Sequence, residues 1–195
     1  MEWAMMKRGM LVAALAAAVV AGPAAAQGVG HVTLEPYVGY GFYGSLPDDV
    51  GRLEAAVAYG GRAALQVTPQ FALYGNFQRS KPEVEGGVFQ RSATVDHWST
   101  GVEFSYVPRG GAEGMFPIIL EAGLGQARYD FSEANIIGSD PKFEDTAANL
   151  GLASALRLSP NFSIRYGVND YISNFRKDLG VTNQIFVRVG AELRL

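Results

Sequence analysis

Gln184-Ile185-Phe186-Val187-Arg188-Val189-Gly190-Ala191-Glu192-Leu193-Arg194-Leu195 alternates apolar and non-apolar residues throughout. Ile185, Val187, Val189, Ala191, Leu193 and Leu195 fall on one side, and Phe186, Arg188, Gly190, Glu192 and Arg194 on the other. Side chains alternate at period 2 in an extended chain, so this stretch is a strand with a greasy face and a charged face.

The same alternation recurs upstream and predicts eight strands: Val32–Tyr43, Leu53–Val67, Phe71–Gln78, Val95–Tyr106, Phe116–Phe131, Thr146–Leu158, Phe162–Tyr171 and the final one. In the first, Val32, Leu34, Val38, Tyr40 and Phe42 oppose Thr33, Glu35, Tyr37, Gly39 and Gly41. In the fourth, Trp98, Val102, Phe104 and Tyr106 oppose His97, Ser99, Gly101, Glu103 and Ser105. Thr68-Pro69-Gln70 and Ser159-Pro160-Asn161 read as tight turns. The joins near 44–52, 79–91, 132–145 and 173–183 are long and polar, and that near 107–115 is intermediate. Short turns at one end and long loops at the other are the pattern of a transmembrane β-barrel.

An eight-stranded barrel has an interior just wide enough for side chains to fill. The charged face is also the glycine-rich face, including Gly39, Gly60, Gly101, Gly123 and Gly190. Long Arg and Glu side chains fit inside only beside small neighbours, so the charged face is predicted inward and the apolar face outward. That interior then holds Glu35, Glu54, Glu103, Glu121 and Glu192 with Arg62, Arg157, Arg165, Arg188 and Arg194. An unpaired buried charge is costly, so a network of ion pairs filling the lumen is expected.

At the other terminus Lys7 and Arg8 precede an apolar run from Met10 to Val20 and Ala24-Ala25-Ala26. This predicts a cleaved signal peptide over 1–26 and a barrel over 27–195. The translation start is open among Met1, Met5 and Met6. The apolar run is too short to span a bilayer, and no later stretch reads as a transmembrane helix. The chain carries 16 Lys+Arg against 19 Asp+Glu, the reverse of a nucleic-acid footprint. It has no cysteine, which excludes disulfides, thiolate metal sites, a Cys nucleophile and a lipoprotein anchor.

With its signal peptide, its strand–turn–strand units Val67-Thr68-Pro69-Gln70-Phe71 and Leu158-Ser159-Pro160-Asn161-Phe162 and its terminal strand, the chain resembles the small outer-membrane β-barrel family of the OmpA/OmpX type. Arg188, Gly190, Leu193 and Leu195 resemble the C-terminal signal read by the barrel-insertion machinery, with Leu195 where many bacterial members carry Phe or Trp. The resemblance is architectural and covers residues 30–195. It implies export to the bacterial outer membrane, where lipid, lipopolysaccharide and the insertion machinery are the partners. It implies no cofactor.

Other chemistry is sparse. His97 and Ser99 share a strand face next to Asp96, an arrangement by which a nucleophile is activated; lipid A-modifying barrels use such groups. The spacing is weak, and a rim histidine bonded to water or loop backbone is the plainer reading. His31 and His97 are isolated and make no metal site. Asp48, Asp49, Asp140, Glu144 and Asp145 read as loop carboxylates, solvated or bridging divalent cations to lipopolysaccharide. Ile136, Ile137 and Phe143 are apolar loop residues suited to a partner or to loop packing. The glycines follow strand faces and form no phosphate-binding loop.

The expectation is an all-β, eight-stranded, antiparallel up-and-down transmembrane barrel. Its expected role is non-enzymatic, in envelope structure or surface binding through four outer loops, with the loop ligand undetermined. Three alternatives stand beside it: a porin-like passive conduit for small hydrophobic molecules, a lipid A-modifying enzyme, and a soluble periplasmic lipocalin-like binder.

Overall fold

A computed structural model describes residues 30–44, 52–85, 91–108, 116–131, 142–174 and 181–195. The predicted signal peptide, Asp48, Asp49, Ile136, Ile137 and Asp140 lie outside these residues.

Eight long strands close on one another: β1 (Val32–Tyr43), β3 (Ala56–Gln66), β4 (Phe71–Ser80), β7 (Thr94–Tyr106), β8 (Ile118–Asp130), β9 (Lys142–Ser159), β10 (Phe162–Asn174) and β11 (Val181–Arg194). Each pairs antiparallel with its neighbours in sequence, and β1 closes on β11 with Tyr40 opposite Val187 and Leu34 opposite Leu193. Closure satisfies the backbone groups that an open sheet edge would leave unpaired.

The predicted turn at Thr68-Pro69-Gln70 forms and takes in Val67 as well: the Val67 and Thr68 amides donate to the Phe71 carbonyl and the Thr68 hydroxyl accepts from the Phe71 amide. At the opposite end three short strands, β2 (Arg52–Leu53), β5 (Glu83–Glu85) and β6 (Arg91–Ser92), form a separate small sheet. This alters the second predicted strand. Its first residues leave the barrel, so Leu53 is buried while Glu54 is exposed, its amide donating to the Glu83 carbonyl. Glu54 is therefore not a lumen residue.

Strands also run further towards the long joins than the polarity of their ends suggests. Lys142 to Asp145, read from sequence as loop, belong to β9, because the end of β8 continues beside them and keeps them in register. Lys142 lies opposite Asp130 with an ion pair of 2.9 Å, and Glu144 lies opposite Arg128. Asp145 points inward and is buried.

The inside–outside pattern follows the alternation. Leu34, Val38, Val57, Leu73, Trp98, Leu120, Leu152, Val168, Val187 and Val189 are large apolar residues exposed on the outer surface. Glu35, Arg62, Glu103, Glu121, Arg165 and Arg188 are buried within. A lipocalin-like binder needs the opposite arrangement.

Candidate functional site

The lumen is layered along the barrel axis. Its centre is Arg165, carried by β10 and buried, with both terminal guanidinium nitrogens hydrogen-bonded to carboxylates. Nη2 stands 2.6 Å from Glu121 Oε1 and 2.9 Å from Glu103 Oε2, Nη1 lies 3.2 Å from Glu192 Oε2, and Nε lies 3.5 Å from Glu35 Oε2. Five strands thus meet at one side chain. Arg188 adds a 2.6 Å contact to Glu121 Oε1, and Arg62 Nη2 donates to Glu103 Oε2. Glu35 receives all three guanidiniums at between 3.5 and 3.9 Å.

This cluster needs small neighbours, as the glycine pattern suggests. At Gly190 a Cβ would stand 2.9 Å from both Glu35 Cγ and Tyr37 Cβ. A side chain there would push Glu35 off the guanidiniums.

Of the ten residues predicted for the network, seven make these contacts: Glu35, Arg62, Glu103, Glu121, Arg165, Arg188 and Glu192. Glu54 stands outside. Arg157 and Arg194 line a recess of about 270 Å³ at the short-turn mouth, and no carboxylate among the described residues lies within 4 Å of either. Of the residues of the predicted insertion signal, Arg188 is thus buried in the cluster and Gly190 faces Glu35, while Leu193 and Leu195 are exposed.

Above the charged layer lies a neutral polar one that sequence reasoning did not single out. Asn169 Nδ2 donates to Glu121 Oε2 at 2.8 Å and to Asn149 Oδ1 at 3.2 Å, and Asn149 Nδ2 donates to the Tyr74 hydroxyl at 3.1 Å. The Tyr37 hydroxyl donates to Asn76 Oδ1 at 2.9 Å, and Asn76 Nδ2 to the Tyr171 hydroxyl at 2.8 Å. The signal was available as amides and phenols at consecutive inward positions. Tyr74 and Tyr37 also cover Arg62 and Arg188, with guanidinium carbons 4.6 and 5.1 Å from the ring centroids.

Towards the long joins aromatic rings fill the lumen, with Ser80, Ser173 and Gln184 bonded to their hydroxyls. Tyr43, Tyr129, Phe131, Tyr171 and Phe186 pack with Leu53 and Val95. Gly41 permits this, since a Cβ there would strike the Phe186 ring.

His97 belongs to this layer, which corrects its placement at an accessible rim. It is 0% exposed, with its ring 4.4 Å from Tyr171 and 5.3 Å from Phe186. Ser99 is buried on the same face. Asp96 points to the outer face, where Arg79 Nε and Nη2 bind its two oxygens at 2.7 Å each. Adjacent strand residues face opposite ways, so no triad of Asp96, His97 and Ser99 is assembled. Among the described residues no group of three His, Asp or Glu stands ready for a metal ion.

No family model matches the sequence, and no curated protein sequence matches it. Solved structures do. The N-terminal β-barrel domain of Pseudomonas aeruginosa OprF is 16% identical, with 87% of this chain and 100% of that chain covered and a TM-score of 0.56. Neisserial surface protein A is 11% identical, with 84% and 97% covered and a TM-score of 0.58. The outer membrane protein OprG from Pseudomonas aeruginosa is 10% identical, with 85% and 95% covered and a TM-score of 0.55. At these identities the likeness is one of fold, and the fold of this chain is the closed, eight-stranded antiparallel barrel that these proteins share.

Proposed function

We propose that the protein is a non-enzymatic barrel of a bacterial outer membrane, with a plugged lumen and a binding surface formed by its long joins. The observation that carries this is the inverted distribution of polarity: apolar side chains cover the outside while Arg165 and four carboxylates fill the inside. Such an outer surface, continued around a closed barrel, suits lipid. Export through the 1–26 signal peptide and insertion through Arg188, Gly190, Leu193 and Leu195 belong to the same reading.

A conduit role finds no support in the described strands. They pair continuously around the barrel, and the charged, amide and aromatic layers occupy its interior. Lipid A modification would need His97 and Ser99 to meet substrate, and both are buried. The test is paired. The purified protein in planar bilayers is expected to give no steady conductance, and its expression to leave lipid A masses unchanged. A stable ohmic current overturns the plugged lumen, and a new lipid A mass overturns the non-enzymatic role.

A further inference from the structure

On one side of the outer wall a row of charges crosses four strands. Arg79 of β4 lies opposite Asp96 of β7, Asp96 opposite Arg128 of β8, and Arg128 opposite Glu144 of β9. The next row towards the long joins holds Thr94, Asp130 and Lys142. All face away from the lumen, by the alternation that turns Trp98 and Val102 outward. Directly below stand Phe77 and Trp98, with ring centroids 4.2 Å apart, and further down Leu73, Val102, Ala122 and Leu150 in one cross-strand row. The wall thus changes from apolar through aromatic to charged within a few residues, as at the boundary between acyl chains and headgroups.

The charged rows enclose a concavity of about 300 Å³ lined by Arg79, Lys81, Thr94, Asp96, Arg128 and Asp130. One of its cations, Arg79, is spent on Asp96, and Lys142, beside the concavity, is spent on Asp130. Lys81 and Arg128 are exposed, and no carboxylate among the described residues lies within 4 Å of either. The concavity therefore presents two uncommitted cations, backed by a fixed Arg79–Asp96 pair, immediately above a greasy wall.

We propose that this concavity binds the phosphate group of an anionic glycolipid of the outer leaflet, with Lys81 and Arg128 as its ligands and the wall from Trp98 to Leu73 as the seat of the acyl chains. Guanidinium and ammonium donors make charge-assisted hydrogen bonds to phosphate oxygens. A free phosphate would use only the upper part of the site, whereas a phosphorylated lipid uses both parts. The proposal rests on the outer-membrane reading above and supplies it with a specific lipid contact.

The test is native mass spectrometry of the folded protein in detergent. The probes are bisphosphorylated lipid A, the same lipid dephosphorylated, phosphatidylglycerol and inorganic phosphate. The parent is expected to retain bisphosphorylated lipid A in preference to the other lipids, with inorganic phosphate competing poorly. Lys81→Gln/Arg128→Gln is expected to lose retention by roughly tenfold, and Lys81→Arg/Arg128→Lys to keep most of it. Folding is checked in each by a heat-dependent shift in gel mobility. Lys81→Gln alone, which lies beyond the end of β4, serves where the double variant does not fold. Equal retention by parent and Gln variants, retention indifferent to the lipid's phosphates, or full displacement by inorganic phosphate overturns the proposal alone. A parent without the gel shift overturns the barrel reading and the proposal with it.

Discussion

Arg165 carries the interior. It meets Glu35, Glu103, Glu121 and Glu192, and its removal strands four carboxylates around two remaining arginines. Arg165→Met should cost about 3–5 kcal/mol, the penalty for breaking a buried charge cluster by deleting one partner. Urea titration of the protein folded in lipid vesicles measures this, and a loss below about 1 kcal/mol would show that Arg165 is not the keystone. Gly190 makes a steric counterpart. Gly190→Val places atoms where Glu35 Cγ and Tyr37 Cβ already stand, so the same titration should show a loss of about 1–3 kcal/mol. Side-chain type and strand parity sufficed to name most of the charged cluster. They did not distinguish Arg165, with four carboxylates, from Arg157, with none, because that depends on height in the barrel and on which strands face each other across it.

Strands were legible wherever alternation was clean, and β1 and β7 run as their patterns suggest, while β4, β10 and β11 reach into joins read as loop. Two further ends were not legible. The segment before Ala56 keeps the alternating look, yet Leu53 leaves the barrel to join the aromatic layer, leaving Glu54 in solvent. Residues Lys142–Asp145 look like loop because they are charged, and only the facing Asp130 and Arg128 reveal them as strand. Charge marks a loop only when no strand stands opposite. The alternation of β11 makes a depth-dependent prediction. Val187 is 48% exposed in mid-strand, between Tyr40 and Val168 on the outer wall. Val187→Lys should cost about 2–4 kcal/mol in vesicles, and Leu193→Lys, beside the short-turn end, about 0–1 kcal/mol. Equal costs at the two positions would contradict a wall that crosses a hydrocarbon core.

At the scale of the molecule the described residues form a closed wall around a layered filling, charged near the short turns, neutral and polar in the middle, aromatic near the long joins. Closure and an outward apolar face suit lipid, and the filling suits a barrel that anchors rather than conducts. Trp98 offers a direct reading of this arrangement, since the only other tryptophan is Trp3, and a chain produced from Gln27 onward carries Trp98 alone. Its side chain is 43% exposed on the outer wall against Phe77. The decisive measurement is its fluorescence in vesicles whose lipids are brominated near the top of the acyl chain. The account predicts emission quenched by the brominated lipid and indifferent to aqueous iodide. Emission untouched by the bromines and quenched by iodide would mean that the apolar face is not in lipid.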